Sequence, residues 1–189
     1  MKWILFLSII LFSSAARSQD NTWLTHWDKY SKMKSIRAKF KQEKFLPSMD
    51  LTLSSKGTLY FNKPDLLEWT VTSGKPIKFT IDKDKVTLFE GKTKKSEMSL
   101  SKVGKAMVGP ILHLRGWIKM DVDFVQKNYD VKNIGKRLFR FTPKDENTFF
   151  KKIEIKLGLS DPISKLILFE TSGDRLSFEF EESKITYER

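Results

Sequence analysis

The sequence predicts a mainly β domain, in which one long, strongly curved antiparallel sheet forms an unclosed β-barrel with a short-helix lid over a hydrophobic cavity. Short segments that alternate apolar and polar residues recur from Ser35 to Phe180, and turn residues separate them. About ten strands with one apolar face must close, or nearly close, around an interior that keeps this face from water. Three short amphipathic helices are available to cover the opening, so we expect a hollow on the apolar side.

The composition limits the chain to one domain and excludes several kinds of site. The 189 residues are 40% apolar and 31% charged, which is neither a disordered nor a fibrous composition. The absence of Cys excludes disulfides, Cys-ligated zinc, thiol nucleophiles and a lipid-modified N-terminal Cys. Only His26 and His113 are available for a metal site or a hydrolytic triad. We therefore expect no catalytic residues, no metal and no cofactor.

The N-terminus has the order of a secretory signal peptide. A positive start at Lys2 precedes the apolar run from Trp3 to Phe12, and small residues follow as far as Ser18. The run is too short for a membrane span, which needs about 20 apolar residues. We expect cleavage after Ser18, so that residues 1–18 are removed and residues 19–189 form a single periplasmic domain. The alternative interpretation is a buried N-terminal helix.

The charge balance is strongly basic. The chain has 35 basic and 23 acidic residues, a formal net charge of +12. Export argues against nucleic acid as the partner, so the positive charge points to anionic lipid headgroups or an acidic partner. Two basic stretches, 32–44 and 83–95, carry much of it. A solvated surface is the other interpretation of both stretches.

The first half of the chain reads as one helix followed by a meander. Asp20 is a candidate N-cap for a helix to about Lys34, with Trp23, Trp27 and Tyr30 on one face. From Ser35 the apolar period becomes two, which predicts strands. The alternating apolar residues are Ile36, Ala38, Phe40, Leu51, Leu53, Leu59, Phe61, Leu67, Trp69, Val71, Ile77, Phe79, Ile81, Val86 and Leu88. Turn residues lie at 47–48, 54–57, 62–65, 73–76 and 82–84.

The middle of the chain is helical and the second half returns to strands. Residues 99–117 have helical spacing, but Gly104, Gly109 and Pro110 interrupt it, which predicts two short helices. Strands resume at Tyr129 and continue to a final hairpin that turns at residues 172–174.

Four segments resemble the periplasmic outer-membrane lipoprotein carriers, the LolA-type family. Residues 57–69 (GTLYFNKPDLLEW) match its signature: a Gly, an alternating strand, a basic residue before Pro, an apolar pair and a Trp two positions on. Residues 35–42 are similar to its first strand, and residues 138–144 to a later strand that ends in Thr-Pro-Lys. Residues 166–180 are similar to its final hairpin.

The resemblance implies an unclosed β-barrel with a helical lid. It also implies a carrier that shuttles acylated lipoproteins from an inner-membrane ABC exporter to an outer-membrane acceptor. We expect a monomer with transient membrane-surface contact. Two features differ from the family: Lys63 stands where an Arg usually latches the lid, and the chain stops at Arg189, before a further Phe-rich segment. From the first difference we expect a weaker latch. The second bears on any function that the family's C-terminal segment carries, including delivery to the acceptor.

The resemblance and the apolar alternation together predict the residues of a lid latch, an acyl-binding cavity and a lid. The candidate lid latch is Lys63, which lies in the turn before Pro64. The candidate acyl-binding cavity residues are Phe40, Leu59, Phe61, Leu67, Trp69, Phe79 and Leu88. The candidate lid residues are Met107, Ile111, Leu112 and Leu114. Each of these apolar residues has an alternative role as an ordinary core residue.

Three function classes stay open at this point. The first is a lipoprotein carrier. The second is a periplasmic lipid- or glycolipid-binding protein of the same shape, which serves lipid export or senses envelope stress. The third, an enzyme that acts on lipid, is the weakest, because no nucleophile–base pair is visible in the sequence. The first two differ in their partners and not in their fold.

Overall fold

The computed structural model describes residues 22–102, 117–119, 121–145 and 148–188. These residues form eleven strands and two α-helices, with short 3₁₀ turns at Pro47–Met49 and Leu100–Lys102. In chain order the elements are α1 (Thr22–Asp28), β1 (Met33–Leu46), β2 (Leu51–Asn62), β3 (Leu66–Val71), β4 (Ile77–Asp82), β5 (Lys85–Glu90), β6 (Thr93–Ser99), α2 (Val122–Asn128), β7 (Tyr129–Gly135), β8 (Leu138–Pro143), β9 (Phe150–Lys156), β10 (Lys165–Glu170) and β11 (Arg175–Tyr187).

All eleven strands belong to one antiparallel sheet. Their order is β6-β5-β4-β3-β2-β1-β11-β10-β9-β8-β7. Consecutive strands therefore pair everywhere except between β6 and β7, and the long strands β1 and β11 join the two ends of the chain. Strands β6 and β7 lie at opposite edges and do not pair with each other. The predicted unclosed, mainly β fold is therefore confirmed. The predicted lid, with Met107, Ile111, Leu112 and Leu114, lies outside the described residues.

The central strand pair is longer than the sequence pattern indicated. Strand β11 continues past Phe180 to Tyr187, and Ile185 pairs with Ile36 of β1. Glu182 has a φ of 53°, and the β1–β11 register shifts beside it. This bulge changes the phase of the apolar alternation, which is why the last part of the strand is hard to read from the sequence.

Two local predictions were wrong, and one helix was not predicted. Helix α1 ends at Asp28 rather than near Lys34, because Met33 and the residues after it pair with β11. The predicted turn at 54–57 is the interior of β2, which pairs with β1 from Leu51 to Asn62. Helix α2 was missed: the Asp121 carboxylate accepts a hydrogen bond from the Phe124 backbone N–H at 2.9 Å and caps this helix.

An aromatic cluster fills one part of the inner face. Trp23 and Trp27 of α1 contact Phe141 of β8, with ring centroids 5.9 Å apart in both pairs. Trp117 lies 4.4 Å from Phe141 and 4.8 Å from Tyr129 between ring centroids. All five residues are buried, so α1 and Trp117 cover the inner face of the strands that follow α2.

Gly57 allows a second aromatic contact near the sheet centre. The Phe40 ring stacks on Trp69 with centroids 3.9 Å apart, and it lies across the Gly57 backbone. A Cβ at position 57 would meet the Thr70 carbonyl oxygen at 1.9 Å and the Phe40 ring at 2.6 Å. The Gly that opens the 57–69 stretch is therefore required by close packing.

Candidate functional site

The inner face of β1–β5 consists of three rows of residues that face one another across the strands. In an antiparallel pair, directly opposed residues point to the same face of the sheet. The first row is Ile36, Phe61, Leu67, Ile81 and Val86. The middle row is Ala38, Leu59, Trp69, Phe79 and Leu88. The third row, nearest the β1–β2 turn, is Phe40, Gly57, Val71, Ile77 and Glu90.

Burial falls from the first row to the third and from the sheet centre to its edge. The first row is buried throughout. In the middle row Leu59 and Trp69 are buried, while Phe79 and Leu88 are half-buried. In the third row Val71 is half-buried and Ile77 is 38% exposed. The apolar face thus continues from the core to solvent without a polar break before Glu90.

All seven residues predicted to line a cavity lie on this face. Phe40, Leu59, Phe61, Leu67 and Trp69 are buried in the core, as their alternative role anticipated. Phe79 and Leu88 are the two that stay partly accessible. Within the described chain these two, with Val71 and Ile77, form the apolar surface that a bound chain could reach first.

A small apolar pocket opens beside the middle row. Its volume is about 20 Å³, room for about one water molecule and too small for an acyl chain. Ser183 supplies the one polar side chain among its lining residues, and Leu59 is the one predicted cavity residue among them. The lining residues are Met33, Ile36, Ala38, Leu59, Ile118, Pro162, Ile163, Phe180 and Ser183.

A larger and polar cleft of about 1300 Å³ lies where β1 begins and β2 and β11 end. Lys63 and Lys119 both line it. The Lys63 ammonium donates to the backbone carbonyl of Ser31 at 2.7 Å, in the turn between α1 and β1. The Lys119 ammonium pairs with the Asp65 carboxylate at 2.7 Å. The lid segment that Lys63 was predicted to latch is outside the described residues, so that prediction stays open.

The outer face of the central strands carries paired charges. Lys39 and Lys41 of the first basic stretch form ion pairs with Glu182 and Glu181 of β11, each at 2.7 Å. The hydrogen bond with Glu181 raises the pKa of Lys41. Lys44 pairs with Asp174 at 3.1 Å and with Glu170 at 3.5 Å. Lys39 and Lys41 therefore lie on a solvated outer face, neutralised by acids of β11 that are distant in the chain. Lys44 is opposite Leu53 and Leu176, so it lies at the end of the inner face.

Helix α1 is tied to the loop between β9 and β10. The His26 ring nitrogen Nε2 contacts the Pro162 carbonyl at 3.0 Å, and the Tyr30 hydroxyl donates to the Ser160 carbonyl at 3.1 Å. Burial lowers the pKa of His26, and the hydrogen bond to Pro162 opposes this shift only in part. His26 therefore has a structural role here, and His113 lies outside the described residues.

Membrane-spanning helices and metal sites are two other features that the described residues can be searched for. None of their helices is long and apolar enough to cross a membrane. They contain no group of three or more His, Asp or Glu side chains that could hold a metal ion. The feature that the sequence reasoning missed is the exposed end of the β1–β2 hairpin, around Met49, Leu51 and Leu53. Its signal was the Pro47-Ser48 turn between apolar residues.

Comparisons with known proteins support the same architecture. Residues 31–188 match the family described as outer membrane lipoprotein carrier protein LolA. No curated protein sequence matches the chain. Among solved structures, a chain of the Pseudomonas aeruginosa MucA/MucB complex is similar with a TM-score of 0.50 and 14% identity, covering 89% of this chain and 58% of that one. At this identity the likeness is one of fold.

Two further structures have lower TM-scores. The Mycobacterium tuberculosis lipoprotein LppX is similar with a TM-score of 0.48 and 10% identity, over 90% of this chain and all of that one (100%). A LolA superfamily protein from Nitrosomonas europaea is similar with a TM-score of 0.42 and 9% identity, over 88% and 94% of the two chains.

Proposed function

The chain belongs to the LolA family of outer membrane lipoprotein carrier proteins, and from this premise we propose that it binds the acyl chains of lipoproteins in the periplasm and shuttles them from the inner to the outer membrane. One observation carries the proposal. The inner face of an unclosed sheet is apolar from its buried centre to its partly exposed edge, through Trp69, Phe79 and Leu88. Members of this family are carriers and not enzymes.

The physical chemistry of the cargo fits such a face. Burial stabilises an acyl chain by about 0.8 kcal/mol per methylene, or roughly 12 kcal/mol for a sixteen-carbon chain. A carrier therefore cannot release the chain into water and must pass it directly to a partner. Binding by an apolar surface without specific polar contacts leaves the cargo free to slide out when an apolar acceptor is offered.

We place the acyl chains along β3–β5, over Phe79, Leu88, Val71 and Ile77. These are the inner-face residues whose apolar surface remains partly accessible among the described residues. The predicted lid residues around Met107 to Leu114 would cover this surface in the empty protein. Loading then exchanges lid contacts for acyl contacts, and the lid returns when the cargo leaves.

Lys63 is our candidate for the latch of that lid. Its ammonium has three donors, and the contact with the Ser31 carbonyl uses one of them. Two donors remain for carbonyls of the predicted lid around Val103 to Leu112. A charge-assisted hydrogen bond contributes about 1.5–3 kcal/mol, which is small beside acyl burial, so a ligand could open such a latch.

Neighbouring residues of β5 give a matched test. Leu88 is on the inner face, whereas Phe89 is on the outer face beneath the Lys78 ammonium. We expect Leu88→Glu to weaken binding of a fluorescent triacylated peptide by about tenfold or more, because a carboxylate in an apolar site is strongly disfavoured. Phe89→Glu should bind normally. Circular dichroism must show that both variants fold. Unchanged binding by folded Leu88→Glu contradicts the proposal.

The nature of the cargo is a separate question. The apolar face described above recognises acyl chains and offers little to select a particular headgroup, which also favours a periplasmic protein that binds free lipid or glycolipid. Native mass spectrometry of the chain purified from the periplasm separates the two. Bound triacylated protein supports the lipoprotein carrier. The partners that we propose for this carrier are an ABC exporter in the inner membrane and an acceptor in the outer membrane. Bound free lipid alone supports the alternative.

A further inference from the structure

The β1–β2 hairpin projects beyond its neighbour on one side. Strand β3 pairs with β2 only from Gly57 to Asn62, whereas β1 and β2 stay paired as far as Leu46 and Leu51. The β2 residues from Leu51 to Ser55 therefore have no neighbouring strand on the β3 side within the described chain. We call residues 46–53 the hairpin tip.

The hairpin tip carries exposed apolar side chains. Met49 is 62% exposed, Leu51 41% and Leu53 51%. Leu51 and Leu53 alternate in phase with Leu59 and Phe61, so they lie on the inner face of the sheet, beyond the polar pair Gln42 and Ser55. Packing within the described chain does not account for three large apolar residues at one protruding point, which marks an interaction surface.

Lysines surround the tip at the same end of the sheet. Because the strands are antiparallel, the start of β2, the β3–β4 turn and the β5–β6 turn lie together at this end. They carry the rim lysines Lys56, Lys75, Lys92 and Lys95, against the acids Asp50 and Glu90. Lys75 and Lys95 both form ion pairs with Glu90, so the rim keeps a positive excess. The chain as a whole has a formal net charge of +12. Apolar side chains that project from a cationic rim suit the interface of an anionic bilayer.

We propose that the hairpin tip inserts Met49, Leu51 and Leu53 into the interface of an anionic phospholipid bilayer. The contact holds the carrier at a membrane while acyl chains leave or enter the adjoining inner face, so this inference rests on the proposed function. The projecting shape and the rim lysines favour lipid over a protein partner, because a bilayer deforms around a protrusion and supplies the opposite charge.

Vesicle binding by the full chain tests the inference, with two variants of similar chemistry. Leu51→Ser/Leu53→Ser removes apolar surface from the tip. Leu159→Ser removes a side chain that is 77% exposed in the β9–β10 loop, at the opposite end of the sheet. In flotation with vesicles of phosphatidylglycerol and phosphatidylethanolamine, we expect the double variant to lose about tenfold or more in partition coefficient and the Leu159→Ser protein to match the wild type.

Substitutions of the rim lysines provide a second test of vesicle binding. We expect Lys56→Gln and Lys75→Gln each to lower partition into the anionic vesicles by about fivefold at low salt. Vesicles of phosphatidylcholine alone should bind the wild type weakly. No binding of the wild type to anionic vesicles, or equal losses in the tip and Leu159→Ser variants, overturns the inference. Loss of a protein partner by the tip variant with unchanged vesicle binding assigns the tip to protein docking and also overturns it.

Acyl binding separates this inference from the proposed function. The triacylated peptide is measured in solution, without vesicles, on the same proteins. We expect Leu51→Ser/Leu53→Ser to bind the peptide normally, while Leu88→Glu loses the peptide and still binds vesicles. Vesicle binding that depends on the tip in a protein that binds no acyl peptide would remove the carrier proposal and keep the membrane contact.

Discussion

Strands β7–β10, which follow α2, bury their inner apolar face almost completely. Strands β2–β6 bury theirs only near the centre of the sheet. In β7–β10, which we call the closed half, the facing row Val131, Phe141, Ile153 and Leu168 is fully buried except at Val131 of the edge strand β7, which is half-buried. In β2–β6, the open half, the corresponding row passes from buried Trp69 to half-buried Phe79 and Leu88. The two halves have similar strand patterns but different cover.

Aromatic side chains from outside the sheet make the difference. Trp23, Trp27 and Trp117 fill the space over Phe141 in the closed half. In the open half, Trp69 is covered by Phe40 and Phe178 from the central strands, and this cover does not extend as far as Leu88. Stability should therefore reside in the closed half, and exchangeable apolar surface in the open half.

Truncation of one aromatic side chain in each half should give the largest difference in stability between the closed half and the open half. We expect Phe141→Ala to lower the free energy of unfolding by about 3–5 kcal/mol, because it leaves a cavity inside the aromatic cluster. Phe79→Ala should cost about 1–2 kcal/mol, because this side chain is half-buried, and it should weaken acyl-peptide binding. Urea denaturation measures both. Equal destabilisation by the two changes would mean that the halves do not differ in this way.

Glycine substitutions test the boundary of the open half. Gly57→Ala should destabilise the fold by about 1–3 kcal/mol, since the new Cβ meets the Thr70 carbonyl and displaces the Phe40 ring from Trp69. Gly135→Ala, in β7, is the control: its Cβ would meet Leu138 at an ordinary 3.7 Å. Thermal unfolding of both variants is the measurement. A neutral Gly57→Ala would show that the Phe40–Trp69 stack is not held by this close approach.

The apolar face of the strands could be predicted from the sequence, but the side chains that cover this face could not. Period-two alternation predicted the apolar rows that contain Leu59, Trp69 and Phe79, and the structure places them side by side. Alternation reports which face is apolar, and it says nothing of what packs on that face. The buried state of Trp69 depends on Phe178, which is more than a hundred residues away in the chain.

The ends of the strands were the second feature that could not be predicted from the sequence. The length of β3 decides that Leu51 and Leu53 are exposed, although their pattern is the same as that of Leu59 and Phe61. Strand ends are set by pairing partners and bulges, such as the one beside Glu182, rather than by the local sequence. A core position and a surface tip can thus have the same local pattern.

A lysine substitution sharpens the comparison, because Lys63 of the open half contacts the Ser31 carbonyl beside α1, which caps the closed half. We expect Lys63→Leu to load acyl peptide normally and to release it to acceptor vesicles between about twofold and tenfold more slowly. Lys63→Arg should release at the wild-type rate or faster, because the guanidinium can hold two carbonyls. Transfer of a fluorescent acyl-peptide gives the rates. If Lys63→Leu releases at the wild-type rate, Lys63 is only a turn residue.

The smallest expected effect concerns the tie between α1 and the closed half. Burial lowers the pKa of His26, so folding favours the neutral ring, whose Nε2–H donates to the Pro162 carbonyl. The unfolded chain then binds more protons than the folded one as pH falls below the ordinary value of 6.5. The contribution of His26 to stability is complete above that pH and is lost as pH falls through the lower folded value.

His26→Gln isolates this contribution, because an amide can donate to the Pro162 carbonyl without titrating. We expect the urea midpoint of the wild type to fall from pH 7.5 to pH 5, and that of His26→Gln to fall less. The partly exposed Glu90, Glu97 and Glu179, whose pKa values lie below 4.5 because of their lysine partners, titrate outside this window. Parallel pH profiles for the two proteins would show that the protonation state of His26 does not affect how α1 is held over the closed half.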